Sequence, residues 1–187
     1  MRREVKAARG LYVGRFQPFH NGHLHAIKWI LQRERELVIV IGSAQYAFTL
    51  RNPFTLGERV EMVTLALRAE GLLDRVFIVG VPDTGKQHSL WVPLVKMNSP
   101  SFNNVYTNDP LTRLLFEEDG YPVHPIPFYR RKTYEGTLIR RLMAENNKEW
   151  EELVPSSVLE FLKKIDGPAR IRRLYEIEST GKSNIIY

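Results

Sequence analysis

The chain has 187 residues, with 27 lysines and arginines against 21 aspartates and glutamates, a formal charge of +6. At 43% hydrophobic and 26% charged it has the composition of an ordinary globular protein, and a chain this long buries roughly 70% of its unfolded surface without covalent staples. The absence of cysteine excludes a disulfide framework, a thiolate metal site and a cysteine nucleophile, and no apolar run approaches the ~18–20 residues that cross a bilayer.

The basic start, Met1-Arg2-Arg3, precedes an apolar stretch at 10–16 that is too short and too polar-tipped for a signal-peptide core, so a cytoplasmic location is expected. Residues 11–16 read as a short buried strand, stopped by Pro18. Residues 23–35 carry Leu24, Ile27, Ile30 and Leu31 at helical spacing. The apolar run 37–41, closed by Gly42-Ser43, reads as a strand buried on both faces. A loop over 46–54 leads to Thr55 and Glu58, a capping-box signature for a helix bearing Leu56, Val60, Val63 and Leu67 that stops at Gly71. Residues 76–81 give a third strand and 82–88 a polar loop. Val105-Tyr106 mark a fourth short strand. Asp109-Pro110 supply an N-cap with proline at the first helical position, followed by Leu111, Leu114 and Leu115. Residues 121–124 suggest a fifth strand. From Gly136 the pattern is helical, broken at Pro155 and Gly167-Pro168, and the residues from Ser179 are expected to fray or to depend on a partner.

Strands alternating with helices imply an α/β fold, a doubly wound parallel sheet with a small C-terminal helical segment. One domain is expected over 1–187, its core at about 10–145 and its C-terminal helices at about 146–178. In such sheets ligands lie beyond the carboxyl ends of the strands, which directs attention to 14–23, 42–51, 82–91 and 107–109. The positive charge is scattered (Arg15, Lys28, Arg51, Arg59, Arg130, Arg140, Arg170), with no basic tract. A small polyanion fits that scatter at least as well as nucleic acid does.

The strongest local signal is Gly14-Arg15-Phe16-Gln17-Pro18-Phe19-His20-Asn21-Gly22-His23. His20 and His23 share one side of a first helical turn, where free N–H groups and the helix dipole attract anions. Gly14 is expected to let a ligand approach the strand end, and Gly22 to leave backbone uncovered beside phosphates. Taken alone, His-x-x-His is more often structural; a zinc site lacks the glutamate and third ligand of a metalloprotease motif.

The decapeptide resembles the H-x-G-H signature of the nucleotidylyltransferase superfamily. A second superfamily motif is matched by Glu135-Gly136-Thr137-Leu138-Ile139-Arg140-Arg141 at an expected helix start. Three further segments, 41–45 with 51–59, Leu90-Trp91-Val92, and 116–121, are similar to the archaeal-type nicotinamide-mononucleotide adenylyltransferases, and the likeness covers most of 10–165. Two departures fall in one loop: Thr84 stands where relatives carry a hydrophobic residue, and Ser89 where they carry asparagine. The tail from Lys182 matches no pattern of the family.

This resemblance implies a Rossmann-like nucleotidylyltransferase fold and adenylyl transfer from ATP to nicotinamide mononucleotide (NMN), giving NAD and pyrophosphate. It assigns His20 and His23 to the α- and β-phosphates, Arg15 to the junction of the two substrates, and Thr137 with Arg140 to the departing pyrophosphate. Arg51 is a further cation, and Gly14, Phe16, Gly22 and Gly136 complete the ATP-binding set. Trp91 would stack on nicotinamide, or else pack in the next helix; Asp83 would bind the carboxamide or a ribose, or merely cap a turn. Adenine is expected near 105–108 and the Gly136 turn. Phe128-Tyr129-Arg130-Arg131 would help close the site, or form surface loop. Mg2+ is expected to arrive with ATP, no dedicated carboxylate cage being visible, and a homo-oligomer, typically a hexamer, is implied. Neither nucleic acid nor membrane is an expected partner. The alternatives are a sister enzyme acting on nicotinate mononucleotide, phosphopantetheine or FMN, a non-catalytic nucleic-acid-binding module, and more remotely a zinc hydrolase.

Overall fold

The computed structural model describes residues 8–127 and 133–180; the 128–131 motif and the tail beyond Thr180 lie outside the described residues. Strands β1 (Arg9–Gly14), β2 (Glu36–Ile41), β3 (Val76–Gly80), β4 (Asn104–Tyr106) and β5 (Val123–His124) pair in parallel, in the order β3-β2-β1-β4-β5. The chain begins mid-sheet. It winds outward through α1 (Asn21–Leu31) and α2 (Leu56–Ala69), then returns through α3 (Trp91–Asn98) to β4 and through α4 (Pro110–Glu118) to β5. Strand order therefore reverses between β1 and β4, where helices diverge to opposite faces and leave a crevice at the carboxyl edge.

The alternation of β2 decides the two faces. Leu37, Ile39 and Ile41 enter one core with α1, α2 and the C-terminal helices; Val38 and Val40 enter a second with Val92, Val95 and Phe116 of α3 and α4. The helical pattern after Gly136 resolves into α5 (Gly136–Ala144), a 3-10 segment (Lys148–Leu153), α6 (Ser156–Lys164) and α7 (Gly167–Ser179). Several boundaries move from those read in the sequence, β5 shortening to Val123–His124 and α1 closing at Leu31, and two of the shifts bear on the site. Strand β1 ends at Gly14 because Phe16 adopts a left-handed φ of 54°. Helix α1 starts at Asn21 because His20 serves as its N-cap.

The expected capping box forms. The Thr55 N–H donates to Glu58 Oε2 (2.9 Å), and the Glu58 N–H to Thr55 Oγ1 (3.2 Å). Glu58 also receives Arg170 of α7 through both terminal nitrogens, at 2.6 and 2.7 Å. Burial alone would raise the Glu58 carboxyl, but the hydrogen bonds from Arg170 and the Thr55 N–H outweigh it and hold it below the usual range. This pair ties the C-terminal helices to the start of α2, beside the 46–54 loop. Arg170→Ala is expected to lower the unfolding free energy by about 1–3 kcal/mol in urea titrations, since it strands a half-buried carboxylate. Arg141→Ala, which breaks only the exposed 3.9 Å pair with Glu145, is expected to change it by no more than ~0.5 kcal/mol.

Candidate active site

The β1–α1 loop builds the first wall. The Phe16 ring is 1% exposed and lies under His23, edge to face at a centroid distance of 4.7 Å. Its side chain is therefore a floor for the histidine, and only its main chain is left for a ligand. Gly14 serves the same packing: a Cβ there would stand 2.7 Å from the Phe16 ring. Gly22 likewise makes room for protein, since its Cβ would meet Tyr134 at 2.8 Å and the His20 ring at 3.1 Å. Both glycines also border recesses at this edge, so the missing Cβ serves the packing of the ring floor beside open space.

His20 and His23 cap one another. The His20 N–H donates to His23 Nδ1 (3.2 Å), and the His23 N–H donates to His20 Nδ1 (3.3 Å). The rings stack at 3.5 Å and 19°. With both Nδ1 atoms accepting, each neutral imidazole carries its proton on Nε2, the nitrogen directed away from the helix backbone. The helix N-terminus thus spends part of its backbone donor capacity on its own side chains and presents two imidazole N–H groups in exchange. Burial keeps both rings neutral. His20 is pushed down to about 3; His23 goes well below its ordinary value through burial and the neighbouring His20.

The second wall is the start of α5. Arg140, 8% exposed, donates to the Gln17 carbonyl (2.7 Å) and to Thr137 Oγ1 (3.3 Å). Gly136 permits the first contact, for its Cβ would crowd Arg140 Nη1 at 3.1 Å and Gln17 O at 3.2 Å. Burial, then the charges of Arg15 and Arg51, bring the Arg140 guanidinium down to about 10. Gln17, which no sequence motif singled out for a role, exchanges two hydrogen bonds with the Phe54 main chain at 3.0 Å and so joins three loops. Arg15 Nη1 is buried with no hydrogen-bond partner among the described residues. Burial and Arg51 lower the Arg15 guanidinium, against the opposing pull of Asp83.

Three recesses meet at this edge. A small cavity of about 200 Å3 is lined by Arg15, Gln17, His20, His23, Thr137 and Arg140. A recess of about 440 Å3 on one side shares His20, His23 and Thr137 with it and adds Tyr12, Asn108 and Ile126. A cleft of about 680 Å3 shares Arg15 with the small cavity and Val13, Thr107 and Asp109 with the 440 Å3 recess, and is lined by Ser43, Arg51, Asp83 and Trp91. Asp83 accepts from Ser43 Oγ at 2.6 Å, and its main chain is clamped by Gln45. Trp91 combines both readings: it packs against Phe116 at 5.8 Å, nearly perpendicular, and also lines the cleft. Every site residue read from the sequence falls on one of these three recesses. Arg59 and Gln17 escaped that reading, because their partners lie far away in sequence.

Guanidinium and imidazole N–H groups converging on a small cavity that adjoins two larger recesses suit a polyphosphate joined to a second ligand. The model of the cytidylyltransferase-like family matches residues 11–142. The chain is 48% identical over 167 residues to the nicotinamide-nucleotide adenylyltransferase of Ignicoccus hospitalis, covering 89% of this chain and 97% of that protein. It is 44% identical over 168 residues to the enzyme of that name from Saccharolobus solfataricus, covering 89% and 96%. The chain belongs to the cytidylyltransferase-like family, among the nicotinamide-nucleotide adenylyltransferases. In structure it resembles a bifunctional NMN adenylyltransferase/ADP ribose pyrophosphatase of Francisella tularensis crystallised with AMP and a manganese ion, with a TM-score of 0.75 at 22% identity over 93% of this chain. The chain spans about half (53%) of that bifunctional protein, and the likeness there is one of fold.

The neutral histidines carry a stability signature. Unfolded, each imidazole takes a proton near pH 6.5; folded, His20 takes one only near pH 3. Between those values the unfolded state binds more protons, so stability falls as pH drops through this window and levels off above it. The expected slope is up to about 1.4 kcal/mol per pH unit for each histidine. Urea titrations from pH 7 to pH 4 check it, and His20→Gln is expected to flatten the slope by the share of one histidine.

Proposed function

We propose that this adenylyltransferase-family protein joins ATP and NMN to give NAD and pyrophosphate. The observation that carries the reading is the buried, unpartnered Arg15 Nη1 at the wall shared by the phosphate-sized cavity and the large cleft. A phosphate oxygen of NMN attacks the α-phosphorus of ATP as the bond to the bridging oxygen breaks, and pyrophosphate departs with that electron pair. The nucleophile is already a dianion near neutral pH, so the chemistry asks for no protein base. It asks for two polyanions to be held together and for the growing charge on the leaving group to be met.

Each residue follows from its recess. The adenosine occupies the 440 Å3 recess beside Asn108 and Gly136, and the triphosphate runs through the small cavity. There the two Nε2–H groups of His20 and His23, with Thr137 and Arg140, face the oxygens on which charge accumulates. The acceptor lies in the 680 Å3 cleft, its phosphate toward Arg15 and Arg51 and its base beside Trp91 and Asp83. Stacking a cationic pyridinium on an indole face is favourable. Among the described residues no group of three or more His, Asp or Glu side chains is placed to hold a metal ion. These residues fit a divalent cation, Mg2+ in this reading, carried by the triphosphate as part of the substrate. Among the described residues no helix is long and apolar enough to cross a membrane.

NAD formation and pyrophosphate release, followed in parallel from NMN and ATP, test the reading; nicotinate mononucleotide, phosphopantetheine and FMN serve as competing acceptors. Failure to form NAD from NMN would sink it. His20→Ala and His23→Ala are each expected to lower kcat by ~10²–10³-fold with a far smaller change in KM for ATP, because those donors meet charge that develops in the transition state. Trp91→Ala is expected to raise KM for NMN by about tenfold, the weight of one stacking contact, and to leave KM for ATP nearly unchanged. Equal effects on both constants would assign Trp91 to packing alone.

A further inference from the structure

Arg59 of α2 is fully buried, at 0% exposure, and forms no ion pair among the described residues. Its guanidinium is held by main-chain carbonyls: Nη1 donates to Gly42 O (2.8 Å) and Arg15 O (3.1 Å), Nη2 to Ser43 O (3.1 Å), and Nε to Thr55 O (3.3 Å). Burial brings it down to about 10, against the attraction of Asp83 and together with the repulsion of Arg15. A cation placed in a core without an anion is costly unless dipoles replace its water. Three of the four dipoles belong to residues just past the carboxyl ends of β1 and β2, where the ladder stops and carbonyls lose their strand partners.

Three of the bonded residues, Arg15, Gly42 and Ser43, line the acceptor cleft. Ser43 sits in the left-handed region, φ 51°, which a side chain adopts reluctantly. In that conformation its hydroxyl reaches Asp83 at 2.6 Å. Arg15 carries the orphaned Nη1, and its carbonyl is gripped by the same Arg59 nitrogen that grips Gly42. Resting on the adenylyltransferase reading above, we infer that Arg59 is a positioning residue: it sets the Arg15 cation and the Ser43–Asp83 pair in fixed register for the phosphate of the acceptor mononucleotide. Histidine and Arg140 contacts, made by other elements, stay in place without it. The effect of losing it is therefore asymmetric between the two substrates.

Steady-state kinetics of the full chain with both substrates varied test this. Arg59→Lys keeps the charge and loses the fork. It is expected to lower kcat by ~10–100-fold and to raise KM for NMN about tenfold, with KM for ATP within about twofold, since displacements of about 1 Å at a reacting group cost this much. In Arg59→Ala, millimolar ethylguanidinium is expected to restore at least ~10-fold in kcat, and ethylammonium is not, because the fork supplies the bonds. A purely structural role would lower the melting temperature and leave the constants of the folded protein unchanged. Folded Arg59→Lys, with a native near-UV dichroism spectrum and wild-type kinetics, overturns the inference. Should neither Arg59 variant fold, Ser43→Ala decides: it is expected to raise KM for NMN several-fold and spare ATP, and unchanged constants overturn the inference. A wild-type protein that makes no NAD from NMN is a different result, the failure of the adenylyltransferase reading itself.

Discussion

Burial of positive charge at the carboxyl edge of the sheet, with repulsion among the arginines added to it, is the constraint around which this site is arranged. Arg15 feels Arg51, Arg140 feels Arg15 and Arg51, and Arg59 feels Arg15, with Asp83 the acid set against Arg15 and Arg59. Such a cluster holds together because fixed dipoles stand in for counter-ions. Arg59 is wrapped by four carbonyls, and Arg140 is pinned to the carbonyl of Gln17. These dipoles come from the ends of strands and loops that folding has already ordered, so they need no reorganisation when a ligand enters. Arg15 Nη1 keeps a donor unmet among the described residues, which in the proposed reading a phosphate oxygen completes.

The two histidines solve a related problem by a different route. A pair of imidazolium rings 3.5 Å apart would add to the positive excess, whereas burial keeps these rings neutral in the free protein. Their reciprocal bonds to each other's N–H fix the tautomer, so that each presents a donor without carrying a charge. Directional donors that are neutral at rest, and that meet negative charge only as it accumulates, favour the transition state over the bound substrate. Phe16 and Phe19 beneath His23 keep that geometry rigid.

What was legible in the sequence is what local chemistry decides. The capping box at Thr55 and Glu58, the Asp109-Pro110 helix start, and the doubly buried run of β2 each depend on neighbours within a turn or a strand, and each forms as read. The motif residues could be placed at strand ends because the βα alternation fixes where those ends lie. Other features depend on contacts that no window spans. Phe16 resembles a ligand-side residue in the motif, yet its left-handed backbone turns the ring into the core. Gln17 meets Arg140 across 123 positions and Arg59 meets Arg15 across 44, so an arginine that grips main chain in the core and one that lines the small cavity look alike in the sequence. Trp91 divided the sequence reading into stacking or packing, and a large ring at a helix start beside the cleft does both.

The division of the core into two clusters bears directly on the chemistry proposed. The phosphate cavity is built by α1 and α5, which lie on the face packed around Ile39 and Ile41. The acceptor cleft is walled by α3 and α4, which lie on the face packed around Val38 and Val40. A doubly wound sheet necessarily sends these helices to opposite sides, and the reversal of order between β1 and β4 opens the edge where they part. In the proposed reading, a donor bound on one face and an acceptor on the other meet at this edge, where the acceptor phosphate has room to come up opposite the departing pyrophosphate, as an in-line displacement requires. Arg15, at the end of β1 and common to both recesses, stands at that meeting point. Strand order thus supplies the approach geometry, and the side chains are left the narrower task of neutralising charge.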